Sequence, residues 1–306
     1  MNRALPPESA GTPRVSVVVV SFNTSADLLS CAASLERGVA IPYELIVVDN
    51  ASDDGSAVAV RSAHPTAQIV RNAENVGFGR ACNQGIRLSR GPYVLLLNSD
   101  AEVKGGAVET LAGVLDAQPG VGATGPRTLN DDGTLQASFG PDLTLWGEWR
   151  QRRLVEGVRR RDPGALRRLA AATSREHEPA WLSASCLLAR RSALESVGLF
   201  DETFFLYEED ADLCRRLRKA GWRVVFKPSA EVVHRLGRST SSDPRRARIE
   251  YQRSHLRYYR KHNGALQTLA LRAWFVAVGT RRARSAKMPA ERAAGRELFR
   301  LGLRGY

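Results

Sequence analysis

No apolar run in the chain approaches the roughly 18 residues that a membrane-crossing helix needs, so a transmembrane anchor is not expected. The opening stretch from Leu5 to Pro13 is polar and proline-rich, without the basic-then-apolar order of a secretory leader, and the expected location is the cytoplasm. Cysteine is scarce: Cys31, Cys82, Cys186 and Cys214 lie far apart with no paired spacing, which excludes a disulfide framework and a cysteine zinc site. No internal repeat is present, and no glycine- and lysine-rich phosphate loop follows the first strand, where Ser21-Phe22-Asn23-Thr24 stands instead. That absence counts against a nucleotidyltransferase. Acid is scarce at one end: past His234 the only carboxylates are Asp243, Glu250, Glu291 and Glu297, so the net charge of +13 is concentrated in the last part of the 306 residues. A basic tail on a near-neutral domain calls for an anionic partner, either a lipid surface or nucleic acid.

What is present is an alternation of strands and helices. Val15–Val20 is a β-branched run of the kind that suits a strand buried on both faces of a parallel sheet. A helix is expected from Ser25, read as its N-cap, and further strands at Leu45–Val48, Ala67–Val70, Tyr93–Leu97 and Val121–Gly125, each after a segment of helical length. The turn at Asp131-Asp132-Gly133 opens a second half. In it, residues 147–178 read as an Arg-rich helical insertion at a mobile edge, broken at Pro163-Gly164. Trp181–Ala189 reads as a strand, Arg191–Val197 as a short helix, Glu209–Ala220 as a helix ended by Gly221, and Val224–Phe226 as the last strand. Two helices follow, Pro244–His262 and Ala265 to about Ser285, the second carrying Leu266, Leu269, Ala270, Ala273 and Val276 at helical spacing among arginines, a pattern that can lie on a membrane. The expected architecture is an α/β catalytic unit over 15–240, divided at 128/129, between a flexible 1–14 and a basic helical extension over 241–306.

Four clusters carry chemistry. In Val48-Asp49-Asn50-Ala51-Ser52-Asp53-Asp54-Gly55-Ser56 a buried strand delivers Asp49 and Asn50 to its carboxyl end, the edge where open α/β sheets bind ligands, while Asp53 and Asp54 read as caps of the next helix. Asn75-Val76-Gly77-Phe78-Gly79 lets backbone amides approach a phosphate or ribose. Leu95-Leu96-Leu97-Asn98-Ser99-Asp100-Ala101-Glu102 is an apolar strand that ends in carboxylates, a use that a hard divalent ion explains and a core strand does not, with Asp100 as the ligand. Tyr207-Glu208-Glu209-Asp210-Ala211-Asp212 places successive acids behind an aromatic segment, where crowding and burial raise a carboxylate toward the pKa of a general base; Asp210 is the choice, and Asp212 pairs with Arg215 or Arg216. His234, followed by Arg235 and Arg238, reads either as structural or as part of a diphosphate site.

Taken in order, the blocks Val17–Asn23, Val47–Ser56, Asn75–Ile86, Leu95–Val103 and Trp181–Trp222, the last including Gly198-Leu199-Phe200-Asp201-Glu202, resemble the family 2 glycosyltransferases of GT-A fold, and within them the rhamnosyltransferase-like members that build cell-surface polysaccharide. The resemblance covers Val15 to Ser239. It implies an inverting transfer from a nucleoside-diphosphate sugar, dTDP- or UDP-linked and with rhamnose as the leading sugar, to a saccharide or polyprenyl-linked acceptor. Ser21, Asn23, Asp49, Asn50, Asn75, Gly77, Asn98 and Ser99 then belong to the donor site and Arg71 to the base or diphosphate. Asp100 with His234 holds Mn2+ or Mg2+, Asp210 is the base, and Trp181 and Glu209 lie on the acceptor side. The family often has Asp-x-Asp where this chain has Asn98-Ser99-Asp100, which leaves Glu102 as a further metal candidate. Tyr251, Tyr258, Tyr259 and Trp274 interleave with the arginines of the tail without any nucleic-acid motif. The tail is therefore expected on an anionic membrane surface, peripheral to the inner face, or against a second copy of the chain, rather than on nucleic acid.

Overall fold

A computed structural model of the chain describes residues 11–235, 244–286 and 288–304. Arg238, Ser239 and Asp243, singled out above, and most of the expected flexible N-terminus lie outside the described residues. The strands are β1 (Val15–Ser21), β2 (Tyr43–Asp49), β3 (Gln68–Arg71), β4 (Tyr93–Asn98), β5 (Ala101–Val103), β6 (Val121–Leu129), β7 (Leu135–Gln136), β8 (Phe139–Gly140), β9 (Trp181–Leu182), β10 (Cys186–Arg190) and β11 (Arg223–His234). The helices are α1 (Ser25–Gly38), α2 (Ser56–Ala63), α3 (Phe78–Leu88), α4 (Ala107–Ala117), α5 (Leu145–Arg159), α6 (Pro163–Thr173), α7 (Arg191–Ser196), α8 (Glu209–Lys219), α9 (Pro244–His262), α10 (Ala265–Ser285) and α11 (Pro289–Arg304).

The main sheet runs β3-β2-β1-β4-β10-β6-β11-β5, with β7 paired to β6. Its first four strands are parallel, β10 is antiparallel to both β4 and β6, β11 is parallel to β6, and β5 closes the far edge antiparallel to β11. Because side chains alternate along a strand, the uninterrupted apolar runs split between two layers. Val17, Val19, Leu45, Val47, Leu95 and Leu97 pack with Leu28, Leu35, Leu111 and Leu115 of α1 and α4. Val18, Ile46, Val94 and Leu96 pack on the other face with Ile86, Leu213 and Leu217 of α3 and α8. The chain leaves β1 toward β2 and β3, then crosses back to β4 on the other side of β1. This is the switch point at whose carboxyl edge such sheets bind ligands.

Three departures from the sequence reading matter for the site. The expected strand Trp181–Ala189 is cut into β9 and β10, because Ser183 Oγ accepts from the Ser185 amide and diverts the backbone into a turn. The last strand is 12 residues long and reaches His234, passing Pro228 by a register shift between Lys227 and Glu231. A proline inside an apolar run argues for a break, which is why only Val224–Phe226 is legible. A third C-terminal helix, α11, packs on α10 through Gly279, Gly295 and Gly302, where any β-carbon would meet the facing backbone. The 147–178 insertion forms α5 and α6, with Asp162 capping α6 ahead of Pro163. Ser25 is not a cap: it is the first helical residue, and its amide donates to Asp54 Oδ2.

α3 lies directly on β1, since a β-carbon at Gly85 would overlap Val18 Cγ1. Replacing an interior helical glycine by alanine gains up to about 1 kcal/mol of propensity, whereas overpacking costs about 1–3 kcal/mol. Gly85→Ala is expected to lower the urea midpoint. An unchanged or higher midpoint would show that α3 does not sit this close.

Candidate active site

The switch point is tied together by hydroxyls. Ser21 Oγ lies 3.0 Å from Thr24 Oγ1, which lies 2.8 Å from Ser99 Oγ, so the ends of β1 and β4 are joined in a buried chain. Ser21 is consumed in that chain. Asn23 has a left-handed backbone (φ 52°), donates its amide to Ser52 Oγ and accepts from the Asp53 amide through Oδ1. Asp49, buried, accepts from the Ser52 amide through Oδ1, while Oδ2 has no hydrogen-bond partner and stands 3.5 Å from Arg71 Nε. The N-cap of α2 is Gly55 rather than Asp53 or Asp54; Asp54, one residue ahead of it, accepts from the Ser56 amide through Oδ1 and from the Ser25 amide of α1 through Oδ2, so it ties the two helix starts together.

Asn50 organises the glycine loop. Its Nδ2 donates to Asn75 Oδ1 at 2.8 Å, and its Oδ1 accepts from Asn72 Nδ2 and the Val76 amide. Gly77 follows with φ 89°, and a β-carbon there would come within 2.5 Å of Phe205 O, so this loop and the segment before α8 are in backbone contact.

These elements enclose a cavity of about 400 Å³. One side is Asn50, Asn75, Gly77 and Phe78; next come Asn98, Ser99, Asp100 and His234; the remainder is Ser183–Ser185 and Phe205–Asp210. Of the residues singled out from sequence, Asn50, Asn75, Gly77, Asn98, Ser99, Asp100, His234, Glu209 and Asp210 meet here. Ser21, Asn23, Asp49 and Arg71 stand outside the lining. So does Trp181, whose ring covers Gly140.

His234 reaches Asp100 because β11 pairs with β5, setting His234 opposite Ala101. Its Nδ1 contacts Gln136 Oε1 at 2.9 Å, and since the Gln136 amide nitrogen donates to Asn130 Oδ1, the proton sits on Nδ1 and leaves Nε2 as an acceptor. Nε2 is 3.2 Å from Asp100 Oδ1 and accepts from Asn98 Nδ2 at 3.2 Å, while Asn98 Oδ1 is buried without a partner. Asp100 Oδ1, the His234 imidazole and the unpartnered Asn98 Oδ1 stand at the same end of the cavity, oxygen and nitrogen donors of the kind that suit a divalent ion also held by a ligand's oxygens. Among the described residues no group of three or more His, Cys, Asp or Glu side chains could hold a metal by itself. Glu102 is outside this set, bound to Arg235 Nη2 at 2.6 Å, and Arg235 is further engaged by Asp27 and Asp131.

The three acids of the first turn of α8 meet three fates. Asp210 accepts from the Ala184 amide (3.3 Å) and the Ala211 amide (2.7 Å) and keeps partial access to the cavity. The protein packed around it, and then the Glu208 charge, push its pKa up to about 6. Glu209 is buried, with Oε2 unpartnered, and burial and the Asp210 charge raise it well above the carboxylate range. Asp212 is structural. Burial would raise it, but His262 Nε2 (2.6 Å), Arg216 Nε (2.7 Å) and Lys261 Nζ (2.7 Å) hold it below the usual range. Its partner is thus Arg216 rather than Arg215, which bonds Tyr258 and Asn263.

Sequence reasoning missed the support of this wall. Tyr207 and Glu208 are consecutive left-handed residues (φ 68° and 65°), a conformation that costs about 1–3 kcal/mol each and persists only when the surroundings enforce it. The enforcing group is His255 of α9, 1% exposed, whose Nδ1 is 2.9 Å from Glu208 Oε1. Its Nε2 is 3.1 Å from Glu148 Oε1 of α5, close enough for an ion pair although both atoms lack a well-angled hydrogen bond. Burial lowers the His255 pKa, but the two carboxylates outweigh it and raise it to about 9. Tyr258 and Tyr259, expected at a surface, are instead core residues packed with Phe204, Leu271 and Phe275. The available signal was the Tyr251, His255, Tyr258, Tyr259, His262 spacing, one face of a helix.

A folded pKa near 9 against about 6.5 in the unfolded chain means that His255 contributes fully below about pH 6.5 and loses its contribution, about 3 kcal/mol, as pH rises through about 9. His255→Gln is expected to be less stable than the parent at pH 6.5 and to show a flatter decline between about pH 6.5 and 9 in denaturant titrations. Parallel pH profiles would remove the imidazolium from the account.

Comparison with known proteins identifies the family. Residues 16–177 match the family described as Glycosyl transferase family 2, and residues 156–288 match Glycosyl transferase family group 2. The N-acetylglucosaminyl-diphospho-decaprenol L-rhamnosyltransferase of Mycobacterium tuberculosis is 34% identical over 242 residues, 74% of this chain and 78% of that protein. The pre-mycofactocin glycosyltransferase of the same organism is 29% identical over 244 residues, 75% of this chain and 44% of that protein. Among solved structures, a mannosyltransferase of Pyrobaculum calidifontis in complex with GDP-Man and Mn2+ superposes with a TM-score of 0.58 at 20% identity, covering 98% of this chain and 90% of that one. This chain belongs to glycosyl transferase family 2, as a rhamnosyltransferase-like glycosyltransferase of GT-A fold.

Proposed function

We propose that the enzyme transfers a deoxyhexose, rhamnose from dTDP-rhamnose, to a polyprenyl-diphosphate-linked saccharide with inversion at the anomeric carbon, working at the inner face of the cell membrane. The observation that carries this reading is that Asp210, with its raised pKa, and the Asp100, His234 and Asn98 donor set line one cavity. The mycobacterial relative, named for rhamnosyl transfer to a decaprenyl-linked N-acetylglucosamine, supports the choice of sugar and acceptor class.

In this reading residues 15–128 hold the donor and 129–240 the acceptor. Asn50, Asn75 and Gly77 position the nucleoside, and Asp49 Oδ2, a buried acceptor without a hydrogen bond, suits an N–H of a pyrimidine, with Ser21, Asn23 and Arg71 shaping that end from behind. Asp100 and His234, with Asn98 Oδ1, would hold Mn2+ or Mg2+, which when bound neutralises charge on the diphosphate. Ser99 holds the β1 and β4 ends together beneath it. Asp210 takes the proton of the acceptor hydroxyl as its oxygen bonds to the anomeric carbon, and the bond to the diphosphate oxygen breaks on the opposite face. Glu209, kept neutral by burial, can donate to a sugar hydroxyl, and Trp181 covers Gly140 behind the acceptor side.

Two measurements check this. Melting temperature should rise with one nucleoside diphosphate or its sugar in the presence of manganese, and the rise should be lost in Asp100→Ala; no response to any nucleotide would overturn the donor reading. Asp210→Asn should bind donor normally yet lose about 10²–10⁴-fold in turnover, and parental kcat should fall tenfold per unit below about pH 6, where the base is protonated. A fully active Asp210→Asn would reassign the base.

A further inference from the structure

We propose that the joined outer faces of α5 and α10 are a docking surface for an anionic phospholipid bilayer; the proposal rests on the lipid-linked acceptor of the preceding reading. Three of the five tryptophans stand out of the protein here: Trp146 is 64% exposed, Trp149 46% and Trp274 44%. Trp146 and Trp149 stack with ring centroids 4.8 Å apart, Arg153 lies 4.9 Å over Trp149, and Arg152 lies 5.2 Å over Trp274, so the two helices present one continuous strip. Indoles left half in water are unfavourable for a surface with no partner, and the headgroup layer of a membrane suits their apolar body and polar edge.

α10 contributes two apolar faces. Leu271, Phe275 and Gly279 pack inward, whereas Leu266, 83% exposed, and Leu269, 61%, point outward with Ala270, Ala273 and Ala277. The outward row continues into Arg281 and Arg284, and the helix contains no acid. Beside it a cleft of about 440 Å³ between α5 and α6 is lined by Trp149, Arg150, Arg153 and Arg168. Among the described residues no carboxylate pairs with any of these three arginines, although shorter-range options such as Glu156 are taken by Arg159 and Arg160. Guanidinium groups outside any ion pair, beside exposed indoles, match the phosphates and acyl boundary of a bilayer.

Two other occupants fit less well. Single-stranded nucleic acid needs open ring faces to stack bases on, and here the faces of Trp149 and Trp274 are covered by Arg153 and Arg152 and Trp146 covers Trp149. A second copy in an isologous contact would set arginine against arginine. The surface is also joined to the cavity. Glu148, between Trp146 and Trp149 on α5, contacts His255, which holds Glu208 in the cavity wall, so docking by α5 would present the acceptor side to the lipid surface.

The test uses the full chain and sedimentation with phosphatidylglycerol vesicles, phosphatidylcholine vesicles as reference, and brominated acyl chains to quench tryptophan. Expected are strong preference for phosphatidylglycerol, loss of most binding at high salt, quenching, and at least a tenfold loss of vesicle binding in both Trp146→Ala/Trp149→Ala/Trp274→Ala and Arg150→Gln/Arg153→Gln/Arg168→Gln. The nucleotide-induced rise in melting temperature should persist in both variants, which separates this surface from the donor site: a parent that responds to nucleotide but ignores the vesicles overturns the docking surface alone. Parental vesicle binding by both variants, tighter binding to single-stranded DNA than to vesicles, or a dimer that either variant dissociates would each overturn it as well.

Discussion

A parallel sheet covered on both faces leaves only its strand ends in reach of water, and the rest of this protein follows from that constraint. The valines of β1 and the leucines of β4 are claimed alternately by the two helical layers, so the centre of each of these strands is apolar. Polar residues emerge where the strands stop, at Asp49-Asn50 and Asn98-Ser99-Asp100, beside the crossover between β1 and β4. The Ser21, Thr24 and Ser99 hydroxyls then close the gap between adjacent strand ends, and the cavity opens in front of them.

The second half of the chain completes the cavity by bringing distant groups to that edge. β11 delivers His234 against Asp100, and the Ser183–Ser185 turn delivers the amide that binds Asp210. The α8 acids show how surroundings divide labour among like side chains. Asp212 is surrounded by three cationic or hydrogen-bonding partners and stays an anion, whereas Asp210 has two amides and a neighbouring carboxylate, which leaves it able to accept a proton near neutral pH. Burial is common to both; the sign of the neighbouring charge decides.

The C-terminal helices are part of the same assembly. Tyr258, Tyr259 and Phe275 form a core with Phe204 and Leu143, and His255 bridges the strained Glu208 to Glu148, so the segment before α8, the α5 insertion and the extension meet at one buried imidazole. The Arg-rich character of the extension belongs to its outer faces, where it borders the exposed tryptophans.

The sequence by itself determined the local features: which runs become buried strands, where helices stop, and that carboxylates would gather at the ends of β2 and β4 and the start of α8. Those depend on periodicity and on neighbours within a turn or two, as with Asp54 serving the next helix or Gly221 ending α8. The family resemblance added the kind of chemistry. Only the tertiary structure decided which polar residues face the cavity and which are spent on scaffolding: Ser21 and Asn23 brace the edge, while Asn50, Asn98 and His234 line it. It also decided that His255, Gln136 and Glu148 matter, since their partners lie 47, 98 and 107 residues away in Glu208, His234 and His255. Such pairings are set by strand register and helix docking, and no local periodicity records which of many buried polar groups will find its counterpart.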